Sequence, residues 1–314
     1  MSIKFSETNY ETFGKCLKIE NEICELCVTL ELGPRIIRYA LKGYDNMLKQ
    51  DTDKIVGKYG LEYEKAFYKG AYWCNYGGHR LWTSPESFPE TYYPDNDPVK
   101  YEIRDDVAVI YGNPQMTNNI KYTFEISLDE KSSDVTIKHI VENINNTVQK
   151  FAPWTITVMD SGGLEIIPKP TTDTGLLPNC VIALWPYAHM NDERVYWGNK
   201  YITIKQNPNI QRAFKLGLNN ENQWIAYLNK KCLFVKRYNH FDNAIYPDFG
   251  VSFETYTDSG ILEIETLGKL KEVQPNEKVE HIEHWELKKA DLSLDCKNEE
   301  EIESFVEEFV SRIK

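Results

Sequence analysis

The chain has 314 residues, a formal charge of −12 and 41% hydrophobic residues. That length can bury a sizeable core, and that hydrophobic content points to a globular fold rather than disorder. The negative balance, with no Lys/Arg cluster, speaks against nucleic acid and against an anionic membrane surface, both of which need such clusters.

The opening stretch MSIKFSETNYETFGKCLKIE has no basic region followed by an apolar run and a small-residue cleavage site. No apolar run anywhere approaches the ~20 residues that span a bilayer. A soluble, cytoplasmic chain with reduced, structural thiols is therefore expected. Cys24 and Cys27 lie in EICELCVTLEL, where Leu26, Val28, Leu30 and Leu32 alternate as in a strand. Residues three apart on a strand face opposite ways, so this pair is not expected to clamp a metal, and no cofactor is expected.

A short helix is expected within Asp51–Lys69, around LEYEKAF. Next comes WCNYGGHRLWTSPESFPETYYPDNDPV, Trp73 to Val99, a long loop rich in aromatic, acidic and proline residues. Long ordered loops on a β scaffold often carry function. Within it, His79 and Arg80 follow two glycines that let backbone approach a ligand closely. The arginine can fork onto hydroxyls or carboxylates. The alternative is a turn with a satisfied histidine.

From there the dominant period is two. DDVAVIYG, IKYTFEISLD, DVTIKHIVENI, KYITIKQ, CLFVKRY and GILEIET are short, β-branched or aromatic-rich, and separated by turn residues. Their spacing suits a sandwich or barrel, and no internal repeat or linker divides the chain, so one domain over residues 1–314 is expected. In VIALWPYAHMNDERVYWGNKY, Trp185, Tyr187 and Trp197 could stack on sugar rings while Asp192 or Arg194 takes hydroxyls, or the segment could simply cover the core. Lys215, between apolar neighbours, either points inward with a purpose or sits on an outer face.

On GILEIET, Leu262 and Ile264 face one side and Glu263 and Glu265 the other. Those carboxylates are either desolvated and basic enough for proton transfer or solvated on an exposed face. Glu254 and Asp248 compete in the same region. His139, His281 and His284 carry no ligand spacing and read as structural or surface groups. At the end, Ile302, Phe305, Val306, Phe309, Val310 and Ile313 form one helical stripe. Asn298 stands three residues before Glu301 as a capping pair, so an amphipathic helix is expected over about 298–313. There is no GxSxG, phosphate loop or dinucleotide fingerprint.

With these pieces in order the chain resembles the galactose mutarotase-like, or aldose 1-epimerase-like, superfamily. ICELCVTLELGPRIIRYALKG is similar to its opening, with Gly33-Pro34-Arg35-Ile36 at the turn, and ILEIETLGKLKEVQPNEKVEHIEHWEL to its last strands. NYGGHRLW and LLPNCVIALWPY look like an uncharacterised bacterial branch. The resemblance covers roughly residues 10 to 288. It implies an all-β, large antiparallel supersandwich with a sugar cleft, and a small-molecule carbohydrate as partner.

The chemistry so implied opens a pyranose by removing the anomeric hydroxyl proton while protonating the ring oxygen, then recloses it. Glu265, followed by Thr266, matches the family's Glu-Thr-Gln base, with Leu267 in place of Gln. The family's acid, a histidine, has no counterpart in FAPWTITVMDSGG, Phe151 to Gly163. The acid would then be His79 from another loop, or a tyrosine or Asp160, or the fold binds sugar without interconverting anomers. Arg80, Trp185, Lys215, Asp248 and Glu254 are the expected substrate contacts. A lyase or hydrolase using Glu254, Glu263 or Glu265 is a third reading, since many chemistries share a fold.

Overall fold

A computed structural model describes residues 2–54 and 56–310. Among these residues two large antiparallel sheets of eleven and ten strands dominate, with a small two-stranded ladder beside them. The six segments with alternating patterns are all strands. In Ile120–Leu128 every second side chain is fully buried and the others half-buried, the signature of one face turned to the core.

The main hydrophobic core lies between the two sheets. Leu216, Phe253, Leu262 and Ile264 enter it from the first sheet, and Phe124, Ile137, Phe234 and Trp285 from the second. The other face of the second sheet is covered by the C-terminal helix, Glu299–Phe305, and a following π-turn, Val306–Val310. Ile302, Phe305, Val306 and Val310 pack there on Leu164, Ala226, Leu233 and Val235. The Asn298 side chain accepts from the Glu301 amide at 3.3 Å, as the capping pattern requires. The end of the expected helix, at Ile313, lies outside the described residues.

The middle of the first sheet carries the strands that matter below, in the spatial order Gly78–Ser84, Gln149–Asp160, Ile261–Leu267, Phe253–Thr257, Phe214–Leu218. Their outer faces are covered partly by the segments before and after Gly78–Ser84, where the short helix Leu61–Ala66 seats Tyr63 against Trp73, Trp82 and Trp154. Cys24 points into the inter-sheet core and Cys27 into a separate cluster with Phe13 and Tyr76, so the two thiols diverge as their spacing requires. No helix among the described residues is long and apolar enough to cross a membrane.

Candidate functional site

Alternation sorts the side chains of these strands. On Ile261–Leu267, Leu262 and Ile264 enter the core while Glu263 and Glu265 face outward into a cavity of about 290 Å³. Arg80 and Trp82, Trp154 and Ile156, Tyr256, and Lys215 reach the same cavity from neighbouring strands. A second cavity of about 430 Å³ adjoins it, sharing Trp154 and Lys215 and adding Trp185, Asp248 and Glu254.

Register explains the contacts. Glu254 pairs directly with Glu265 across two strands, and Lys215 stands one strand further on beside Tyr256. The Lys215 ammonium donates to Glu265 Oε2 at 2.9 Å and to Glu254 Oε2 at 2.8 Å. It also lies 4.7–4.8 Å from the ring centres of Trp185 and Trp154, a cation–π arrangement. The Trp154 indole N–H donates to the same Glu265 oxygen at 2.8 Å. Burial alone would lower the Lys215 pKa, but Glu265 and Glu254 outweigh it and raise it. One ammonium cannot neutralise two buried carboxylates. Burial, helped by the Glu265 charge, accordingly pushes the Glu254 carboxyl well above the usual range against the pull of Lys215.

Glu263 belongs to a second group. Its Oε1 accepts from Arg80 Nη2 at 3.2 Å and from Asn75 Nδ2 at 3.4 Å, and Arg80 Nη1 also reaches Asn75 Oδ1 at 3.3 Å. The guanidinium lies over the Trp82 ring, 4.4 Å from its centre. Burial raises the Glu263 pKa, with Arg80 opposing and Glu265 reinforcing. Four buried atoms lining these cavities have no hydrogen-bond partner: Glu265 Oε1, Glu254 Oε1, Arg80 Nε and Trp73 Nε1. Leaving such groups unpaired costs about 1–3 kcal/mol each, so the cleft is built for a polar ligand.

Six of the seven expected site residues thus meet: Glu265, Arg80, Lys215 and Glu254 through the contacts above, Trp185 beside Lys215, and Asp248 through the Ser84 hydroxyl, which donates to its Oδ2 at 3.2 Å.

His79 is the exception and is corrected here. Gly78–Ser84 is a strand, so His79 and Arg80 must face opposite ways; Arg80 takes the cleft and His79 the space between the sheets. His79 is 0% exposed and lines neither cavity. Burial holds its pKa well below the usual value, so near neutrality it is uncharged. Asp160 does not replace it, being paired with Lys230 at 2.6 Å and lining neither cavity. Asp192 and Arg194 are likewise a buried pair, 2.8 Å apart, rather than hydroxyl ligands.

What His79 joins is a buried polar network between the sheets. Lys236 donates to the Thr157 hydroxyl at 2.6 Å, which donates to His79 Nδ1 at 2.8 Å. His79 Nε2 faces His139 Nε2 at 2.7 Å, and His139 Nδ1 donates to the His281 carbonyl at 3.0 Å. Glu283 accepts from Lys236, Thr155, Thr266 and Trp285. Burial would raise its carboxyl, but Lys236 beside it holds it well below the usual range. His79, His139 and Glu283 could bring ligand atoms within 4.8 Å of one another around an ion. The hydrogen-bond chain already uses both Nε2 atoms, and the Lys236 ammonium already neutralises the glutamate, so these residues fit an internal brace better than a metal centre.

The residues not anticipated are Trp154, Asn75 and Tyr256. Trp154 and Glu265 share a face across adjacent strands, but only pairing register reveals that neighbourhood.

No protein-family model matches this sequence, and no curated protein matches it. Solved structures do. A TPR-domain containing protein from Parabacteroides distasonis superposes with a TM-score of 0.59 at 16% identity, covering 90% of this chain and 48% of that one. The chain thus spans about half the length of that protein. A galactose mutarotase-like protein from Lactobacillus casei matches with a TM-score of 0.54 at 10% identity, over 87% of this chain and 100% of that one. A galactose mutarotase-like protein from Clostridium acetobutylicum matches with a TM-score of 0.53 at 10% identity, over 91% and 99%. At such identities these likenesses speak to architecture: the chain has the galactose mutarotase-like fold.

Proposed function

We propose that the cleft binds a carbohydrate and interconverts the anomers of its reducing end, with Glu265 as base and Glu263 as acid. The observation that carries this reading is the set of unpartnered buried atoms, two carboxylate oxygens and two N–H groups, among the rings of Trp73, Trp82 and Trp154. Sugar hydroxyls both donate and accept, and sugar C–H faces stack on aromatic rings.

Glu265 Oε1 takes the proton from the anomeric O1. The O1 electron pair then forms the carbonyl as the C1–O5 bond breaks, and O5 receives the proton of Glu263. Rotation about C1–C2 presents the other carbonyl face. O5 attacks C1 and returns its proton to Glu263, while O1 recovers one from Glu265. Glu263 suits the acid because burial raises its pKa and it shares Glu265's strand face two residues away. Lys215 and Trp154 hold Glu265 in place, and Arg80 with Asn75 holds Glu263.

A second reading, a carbohydrate-binding protein without catalysis, is favoured by one observation. Among the described residues no histidine lines either cavity. Exchange NMR of anomer interconversion across a panel of aldoses separates the two. Acceleration that Glu265→Gln and Glu263→Gln each reduce by about 10²-fold or more supports catalysis. Line broadening without acceleration supports binding alone, and full activity in both variants sinks the assignment.

A further inference from the structure

The cleft does not end where one sugar ring would. A third cavity of about 550 Å³ continues from the first two; Lys58 lines all three, and Phe88 joins the second to the third. The first cavity alone, about 290 Å³, is near the lower end of what holds a drug-sized molecule, ample for one ring. The remaining volume has no work to do for a monosaccharide.

The walls of the extension carry a chemical signature. Tyr59 is 79% exposed and Phe88 46%, both on the third cavity, and Tyr187 is 41% exposed on the first. Isolated surface aromatics are ordinary. Here they line one groove, continuous with the unpartnered polar atoms of the cleft. Lys58 reaches over the Tyr92 ring at 4.2 Å where the cavities meet.

Charge narrows the ligand further. Glu86, Asp248, Glu254, Asp258, Glu263 and Glu265 line the first two cavities, against Lys58, Arg80 and Lys215. Arg80 is already engaged by Glu263, and Lys215 by Glu254 and Glu265. Even with Glu254 and Glu263 protonated, Glu86, Asp248, Asp258 and Glu265 outnumber Lys58, Arg80 and Lys215, and two of those cations are already engaged, an arrangement that disfavours an added phosphate or uronate group.

We infer that the ligand is an uncharged oligosaccharide of at least two rings. Its reducing end sits at Glu263 and Glu265, and its chain runs past Lys58 and Phe88 toward Tyr59. This rests on the carbohydrate reading above and adds to it the length and charge of the sugar.

The test is calorimetric titration of the full chain with gluco-, manno-, xylo- and chito-oligosaccharides of one to four rings, alongside glucose 6-phosphate and oligogalacturonides. In at least one neutral series the affinity should rise about tenfold or more from one ring to three. That gain should fall back toward the monosaccharide value in both Tyr59→Ala and Phe88→Ala. Equal affinity for one and three rings, a gain untouched in both variants, or tightest binding by an anionic sugar would overturn it. Anomer exchange on monosaccharides without any length dependence would leave the proposed function standing and remove only this extension. Failure of every sugar to bind at any length would remove both.

Discussion

Glu254 and Glu265 stand opposite each other on neighbouring strands and share the single ammonium of Lys215, at 2.8 and 2.9 Å. Two like charges directly across an antiparallel pair repel, and burial magnifies that repulsion. The arrangement persists because a cation sits on both and because Glu254 is driven toward its protonated form. The cleft floor is therefore electrostatically strained around the proposed base.

Removing that cation should be costly. Lys215→Met leaves two buried carboxylates without compensation, and breaking a buried pair by deleting one partner typically costs about 3–5 kcal/mol. Adding Glu254→Gln to Lys215→Met should recover part of the loss, since one of the opposed charges is then gone. Urea unfolding of the single and double variants measures the coupling. A loss below about 1 kcal/mol for Lys215→Met would contradict the shared-cation account.

His79→Phe should separate stability from chemistry. It strips a partner from the Thr157 hydroxyl and from His139 Nε2 deep between the sheets, at about 1–3 kcal/mol for each polar group left unpaired. Anomer exchange per folded molecule should be unchanged well below the melting temperature. A large fall in kcat with normal stability would return His79 to the mechanism.

The pH dependence of stability should carry the mark of Glu165. This residue is fully buried between the sheets, where burial pushes its carboxyl up to about 8 from an ordinary 4.5. The Thr255 hydroxyl donates to its Oε2 at 2.8 Å. The folded protein thus keeps a proton that the unfolded chain releases above about pH 4.5. The stabilisation is fully present below that pH and is lost as pH rises toward 8. Relative to Glu165→Gln, the wild type should lose stability between about pH 5 and 8, at up to about 1.4 kcal/mol per pH unit. Parallel thermal melts across that range check it, and a constant Tm difference would show that Glu165 is already ionised in the fold.

The C-terminal helix should be a stability element without influence on the cleft. Phe305→Ala empties a packed position and should cost about 3–5 kcal/mol, and Asn298→Ala should cost about 1 kcal/mol through the lost cap. Sugar affinity should not change in either, because the helix covers the outer face of the second sheet while the cleft opens on the first. Isothermal titration on both variants tests that separation.

Several of these features were legible in the sequence. The alternation in GILEIET placed Glu263 and Glu265 together and opposite Leu262 and Ile264, as the structure has them. CLFVKRY carried a further clue of the same kind: Lys236 has the parity of Cys232 and Phe234, which enter the core, and Lys236 enters with them. The error at His79 came from treating GGHR as a loop. Once Gly78–Ser84 is a strand, parity alone forbids His79 and Arg80 from serving one site.

What the sequence by itself determined is local: the six alternating strands, the face each of their side chains takes, the capped C-terminal helix, and a sandwich or barrel class. These follow from chain geometry at period two or 3.6 and need no distant partner. Tertiary structure alone decided which faces meet. Glu265 was visible as a strand glutamate, but its partners Lys215, Trp154 and Glu254 come from three other strands, brought beside it by pairing register. The same register buried Lys236 beside Glu283 and the histidines, turning charged residues into a brace rather than a surface. Pairing between strands far apart in the chain is set by the global packing of the core, and no short window of sequence contains it.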